Sequence, residues 1–208
     1  MKKITLLVFA LIIGLTTISC KKEIKKDKDN NQPTTEIGFS LDTSTAKIEW
    51  TAYKTTEKIA VKGEFTKISI TNDKISKNVF DLINGIEFSI PVSSIFSNNE
   101  DRDNKLQKFF FGVMDNTQLL SGKIAITDDQ TGSLTITMNA MTNSFPITFT
   151  ITENEFSMTG IMNLADWNGQ IAIESLNKAC FDLHKAGDGV SKTWNDVLID
   201  GRISFKKN

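Results

Sequence analysis

The chain has 208 residues, with 24 basic and 25 acidic side chains, one histidine and two cysteines. Beyond residue 29, 17 basic residues face 22 acidic ones, a net charge of −5. That acidic body excludes nucleic acid as the partner, because phosphate binding needs a basic face. His184 and Cys180 alone make no structural zinc site without carboxylate help.

The first element is an export signal over residues 1–19. Lys2 and Lys3 supply a positive start, and Ile4 to Leu15 is an uncharged apolar run, short for a bilayer span and long enough for a signal core. Thr17-Ile18-Ser19-Cys20 follows and resembles the lipobox of bacterial lipoproteins, with Thr17 where leucine is more usual. The resemblance implies cleavage before Cys20 and lipidation of its thiol, acyl chains such as palmitate included. Two or more chains hold a protein stably on a membrane, at about 0.8 kcal/mol per buried CH₂. Lys21, rather than aspartate, follows the cysteine and points to the outer membrane. Residues 20–36 then read as the lipidated cysteine and a flexible polar tether, spanning roughly 20–25 Å on average. The domain is expected over 37–208.

From residue 46 the dominant period is two. Eight alternating segments are expected, at 46–53, 59–70, 86–95, 119–127, 133–141, 144–152, 155–164 and 197–206. The first places Ile48, Trp50 and Ala52 on one face. The second places Gly63 and Phe65 inward, and its phase slips at Lys67, which suggests a bulge. Later segments present Phe88 and Ile90, then Phe149, then Phe156. Asp128 to Gly132, and Glu153 with Asn154, read as hairpin turns. Strands that are apolar on one face and joined by turns predict an antiparallel sheet, and eight of them can close around a small ligand.

Two short helices interrupt the strands. Asn98 and Asn99 cap the first, from Glu100 to about Phe109, whose acidic start and later lysines suit the helix dipole. The second runs from about Gln170 to Lys185, with Ile173, Leu176, Cys180 and Leu183 as an apolar stripe. The fold class is therefore all-β, an eight-stranded antiparallel lipocalin-like barrel with two short helices. A barrel embedded in a membrane is the competing arrangement. One tyrosine in the whole chain, a helical insertion before the last strand and a redundant lipid anchor all weigh against it.

Phe88 to Phe111 resembles the YceI-like, polyisoprenoid-binding family: an apolar strand, FSIPVSSI, then Arg102-Asp103, Leu106 and Phe109-Phe110. Thr142 with Pro146-Ile147-Thr148-Phe149, the opening strand with Trp50, and Gly63-Glu64-Phe65 match as well. The segment LNKACFDLH…DGVSKTW is similar to a lipoprotein branch of that family. Lys105 stands where many members have histidine. The resemblance implies an apolar tunnel for a long isoprenoid chain, such as a polyprenyl phosphate or a quinone tail.

The candidate ligand-binding set is Trp50, Phe65, Phe88, Ile90, Arg102, Leu106, Phe109, Phe110, Phe149 and Phe156, with Cys20 for lipidation. Arg102 is left two roles: pairing with a phosphate or quinone head, or with Asp103 or another neighbour. Of the three consecutive phenylalanines 109–111, one is expected at a tunnel mouth. No nucleophile motif, phosphate loop or metal-binding histidine pair is present, so no catalytic residue, metal or cofactor is expected. The expected function is a lipid-anchored envelope protein that carries or sequesters an isoprenoid or quinone-like amphiphile. The alternative is an envelope scaffold, its barrel filled, with a protein or glycan partner.

Overall fold

The computed structural model describes residues 38–71 and 74–208. The signal peptide, Cys20 and the tether lie outside the described residues.

Ten strands form one antiparallel sheet: β1 (Phe39–Lys54), β2 (Ile59–Phe65), β3 (Ser69–Ile70), β4 (Glu87–Pro91), β5 (Ile95–Phe96), β6 (Leu119–Ile126), β7 (Thr131–Met138), β8 (Met141–Ile151), β9 (Glu155–Asn163) and β10 (Asp196–Lys207). Their order is β3-β4-β6-β7-β8-β9-β10-β1-β2-β5. The two end strands meet, because β3 continues β2 and β5 continues β4. Phe65 pairs with Ile95 and Ile70 with Phe88, and between them the Thr66 N–H donates to the Ser94 carbonyl at 2.9 Å. Eight chain paths thus surround one core. The difference from eight expected strands is two breaks. One falls at Thr66–Ile68, where the phase slip at Lys67 marks it. The other is a tight turn at Val92–Ser94, held by the Ser94 hydroxyl on the Pro91 carbonyl at 2.7 Å.

The hairpin turns follow from local chemistry. Asp128 accepts from the amides of Gln130 and Thr131 and from the Thr131 hydroxyl, an Asx-type closure of β6–β7. Between β7 and β8 the turn is only Asn139-Ala140, with φ of 53° and 54°. Both left-handed residues match the twist of a two-residue hairpin. The strand expected over 133–141 therefore ends at Met138, and Ala140 carries no turn signature that would mark the break.

Three short helices cover the ends. Helix α1 (Val79–Ile83), capped by the Asn78 side chain on the Phe80 amide, packs on β1 and β6 beside the β6–β7 turn. It was not expected, since five residues are too few to show a helical period. Helix α2 (Glu100–Lys105) starts on Asn99, whose side chain accepts from the Arg102 amide at 2.9 Å. It continues as a wider π turn over Leu106–Phe110 rather than an α-helix to Phe109. Helix α3 (Gln170–Ala179) buries Ala172, Ile173 and Leu176 and stops at Cys180. The expected extension to Lys185 is a separate tight turn at Phe181–Leu183, and Leu183 is exposed, not part of the buried stripe. Helices α2 and α3 sit at the end of the barrel opposite α1. No helix among the described residues is long and apolar enough to cross a membrane.

Core packing rests on aromatics laid over glycines. Trp50 pairs across strands with Gly63, where a Cβ would stand 2.3 Å from the indole ring, and Phe88 pairs with Gly122 in the same way at 2.4 Å. At the α1 end, Phe149 packs on Phe156 and Phe80, with centroids 5.4 and 6.4 Å apart.

Candidate ligand site

Three spaces follow one another down the barrel. The middle one is an apolar chamber of about 130 Å³ between the sheet, the π turn and α3. Its wall includes Ile48, Ile136, Val197 and Ile199 from the strands. Phe110, Phe111 and Leu176 close it from the helical side. Toward α1 a small pocket of about 40 Å³ shares Ile48 and Phe88 with the chamber and is closed by Phe156 and Met158. Toward α2 and α3 lies a vestibule of about 240 Å³. Vestibule and chamber share Trp50, Ala52, Leu106, Leu176 and Thr193, which stand between the two and are termed the neck.

Alternation explains the chamber. On β1 and β10 every second residue faces in, so Ile48, Trp50 and Ala52 meet Val197 and Ile199 on one wall. The π turn widens the chain by one residue per turn and presents Leu106 and Phe110 on the same side. Phe111 stacks edge-on against Phe110 at 4.9 Å and Phe65 at 6.5 Å.

Six of the ten sequence candidates line the chamber: Trp50, Phe65, Phe88, Ile90, Leu106 and Phe110. Arg102 lies in the vestibule. Phe156 closes the small inner pocket, and Phe149 belongs to the aromatic plug beside it. Phe109 is half-buried under the Lys108 ammonium, 5.1 Å from its ring, and borders none of the three spaces. Phe111, expected only as one of the run 109–111 that supplies a tunnel mouth, faces the chamber together with Phe110 because the π turn rotates it inward. Sequence reasoning missed Phe145, Met138, Met162 and Trp194. Phe145, Met138 and Met162 were visible as inward positions of alternating strands. Trp194 sits in a loop with no period to reveal it.

The vestibule has a largely apolar wall that carries an excess of cations. Lys54, Arg102 and Lys105 line it with Asp101 and His184. Lys105 pairs with Asp101, which raises the lysine pKa. Lys54 donates to the Leu183 carbonyl at 2.9 Å, and Arg102 reaches the Ser97 carbonyl at 3.4 Å. Neither cation has a carboxylate partner among the described residues. Asp103 does not take that role, for it is buried and accepts from the Ser97 hydroxyl at 2.6 Å. The Thr193 hydroxyl gives its proton to Asn177, so His184 donates to it through Nδ1 at 2.8 Å. Burial, then the nearby Lys54 charge, pulls the His184 pKa down to about 4. Burial also raises that of the Cys180 thiol at the vestibule wall.

Among the described residues, two buried side-chain polar atoms, Trp50 Nε1 and Thr55 Oγ1, make no hydrogen bond. The Trp50 indole is 7 % exposed and belongs to the neck. The other two tryptophans bond normally, Trp167 to the Ile136 carbonyl at 2.9 Å and Trp194 to the Thr55 carbonyl at 2.8 Å.

A closed antiparallel barrel around an apolar chamber, with a charged vestibule at one end, defines a lipocalin-like class of folds. Within that class, the YceI-like domain model matches residues 39–205, and the chain belongs to that family. The fold is similar to a polyisoprenoid binding domain from Saccharophagus degradans, at 11% identity and TM-score 0.59, covering 82% of this chain and 98% of that one. It is also similar to BcnA of Burkholderia cenocepacia, at 13% identity and TM-score 0.51, covering 80% and 99%. Among curated protein sequences none matches the chain.

Proposed function

We propose that this protein is a lipid-anchored envelope carrier that holds a polyisoprenoid or similar amphiphile in its barrel, with the chain in the apolar chamber and the head in the vestibule. The carrying observation is the chamber itself, a space walled by hydrocarbon and bordered by the same five residues as a vestibule that carries cations. The polyisoprenoid-binding relative of the same fold supports the ligand class. The reading is of binding, not catalysis. The lipobox at Cys20 supports the anchor, with the outer membrane as the site.

Size limits the reading. An apolar cavity of about 150 Å³ takes one benzene, so this chamber holds about one isoprene unit as it stands. Five carbons at about 0.8 kcal/mol each contribute about 4 kcal/mol, which alone is only millimolar affinity. A longer chain requires Met138 and Met162, the flexible side chains of the wall, to move aside. The same small volume favours the second reading, a filled barrel that serves as an envelope scaffold for a protein or glycan partner.

Native mass spectrometry and lipid extraction of the purified protein separate the two. Co-purifying amphiphile at near one per chain is expected, and a protein that carries none and takes up none refutes the carrier. Palmitate labelling tests the anchor: incorporation lost in Cys20→Ser is expected, and labelling unchanged by that substitution removes the anchor assignment.

A further inference from the structure

The neck carries a signal of its own. Trp50 Nε1 is a buried donor with no acceptor, in a residue that borders both chamber and vestibule. Leaving such a donor unmade costs about 1–3 kcal/mol, and buried polar groups are otherwise nearly always paired. The remaining indoles of this chain follow that rule. Above the neck, Arg102 and Lys54 are half-buried cations that touch only carbonyl oxygens. A guanidinium has five N–H donors and an ammonium three, so most of theirs remain for another acceptor.

Resting on the carrier reading, we infer that the ligand is an anionic amphiphile: the oxygen that joins its head to its hydrocarbon accepts from Trp50 Nε1, and the negative head lies between Arg102 and Lys54. The fit is chemical at three levels. Hydrocarbon suits the chamber, one oxygen acceptor suits the neck, and a phosphate or carboxylate suits the vestibule. Charge-assisted hydrogen bonds are roughly twice as strong as neutral ones, and they supply what one buried isoprene unit lacks. The Lys54 charge also adds, after burial, to the lowering of the His184 pKa.

The test uses the full-length, delipidated protein and four probes: farnesane, farnesol, farnesyl phosphate and palmitate. Isothermal titration at low salt should rank farnesyl phosphate at least tenfold tighter than farnesol, and farnesol tighter than farnesane. Only the anionic probes, farnesyl phosphate and palmitate, should weaken as salt is added. Palmitate binding as tightly as farnesyl phosphate would assign a carboxylate-tolerant head site, and weaker palmitate binding a phosphate-selective one, both in support. Arg102→Gln and Lys54→Gln should each erase most of the advantage of farnesyl phosphate over farnesol. Trp50→Phe should reduce farnesol toward farnesane.

A readout without substitution is the imidazole of His184, the single histidine. Its proton resonance should titrate at higher pH when farnesyl phosphate binds, because an anion offsets Lys54. Equal affinity for farnesol and farnesyl phosphate, with no salt dependence and no His184 shift, overturns the anionic head and leaves the carrier standing. No binding of any probe overturns both.

Discussion

Ala52 lines both chamber and neck, so Ala52→Leu puts three more carbons into existing space. At about 0.8 kcal/mol per buried CH₂ they should add about 2.4 kcal/mol. The chamber gives an independent bound. Filling all of its roughly 130 Å³, at about 24 cal/mol per Å³, recovers about 3 kcal/mol. The two figures agree because three carbons occupy most of the void. For a domain of this length each kcal/mol moves the midpoint by about 2–4 °C, so thermal unfolding without ligand should rise by about 5–10 °C. The same leucine blocks the route from vestibule to chamber, so farnesol affinity should fall at least tenfold. Calorimetry and titration on one sample read both effects. A midpoint that falls, with farnesol still bound as in the parent protein, would refute the reasoning, since it would mean that residue 52 faces no usable space.

Other positions give outcomes of different kinds. The folded-state pKa of His184, about 4, lies below the ordinary 6.5, so the unfolded chain binds more protons between those values. Stability should therefore rise with pH from about 4 to 6.5, be fully present above that, and lose at most about 3 kcal/mol on acidification. His184→Gln should flatten this slope in urea titrations at pH 4.5 and 7, and an unchanged slope assigns it elsewhere. Ala140→Gly removes a left-handed cost of about 1–2 kcal/mol against an unfolded-state cost of about 0.4–1 kcal/mol. A net gain of about 0.5–1 kcal/mol is expected in denaturant unfolding, and a loss contradicts the positive φ. Gly63→Ala pushes a methyl into the Trp50 ring and toward the Phe96 carbonyl, and should cost about 1–3 kcal/mol by overpacking, with a red shift or quench of tryptophan emission as its mark.

Alternation carried most of the fold into the sequence. Seven of the expected segments overlay one strand path each because one face is apolar and the other polar, as in β8, where Phe145, Ile147 and Phe149 are buried and the residues between them exposed. The break at Lys67 showed for the same reason, a slipped phase. What did not show are features set by local geometry without a repeat: the five-residue α1, the Asn139-Ala140 turn, and the π turn that swings Phe111 inward. The site was half legible. Inward residues of strands could be named, but depth along the barrel could not, so Phe149 and Phe156 fell in the plug beyond the chamber. The vestibule was less visible still, since Lys54, His184 and Thr193 come from separate segments and meet only because residues 184–194 are stitched to the β1–β2 turn through Thr55 and Tyr53.

The line where β2–β3 meets β4–β5 is the one joint of the cylinder made of fragments. Two ladders of two residue pairs each, with the Thr66–Ser94 bond between them and a Thr71–Glu87 bond beyond, do the work that nine pairs do between β9 and β10. A tube with one weak joint parts along that joint first. Opening there widens the girth without disturbing the long neighbouring strands, and it lies beside Phe65, Phe88 and Ile95 of the chamber wall. On the carrier reading, cargo longer than one isoprene unit would enter sideways there, and the Thr66 amide should exchange with deuterium faster than the Ile199 amide in the middle of β10.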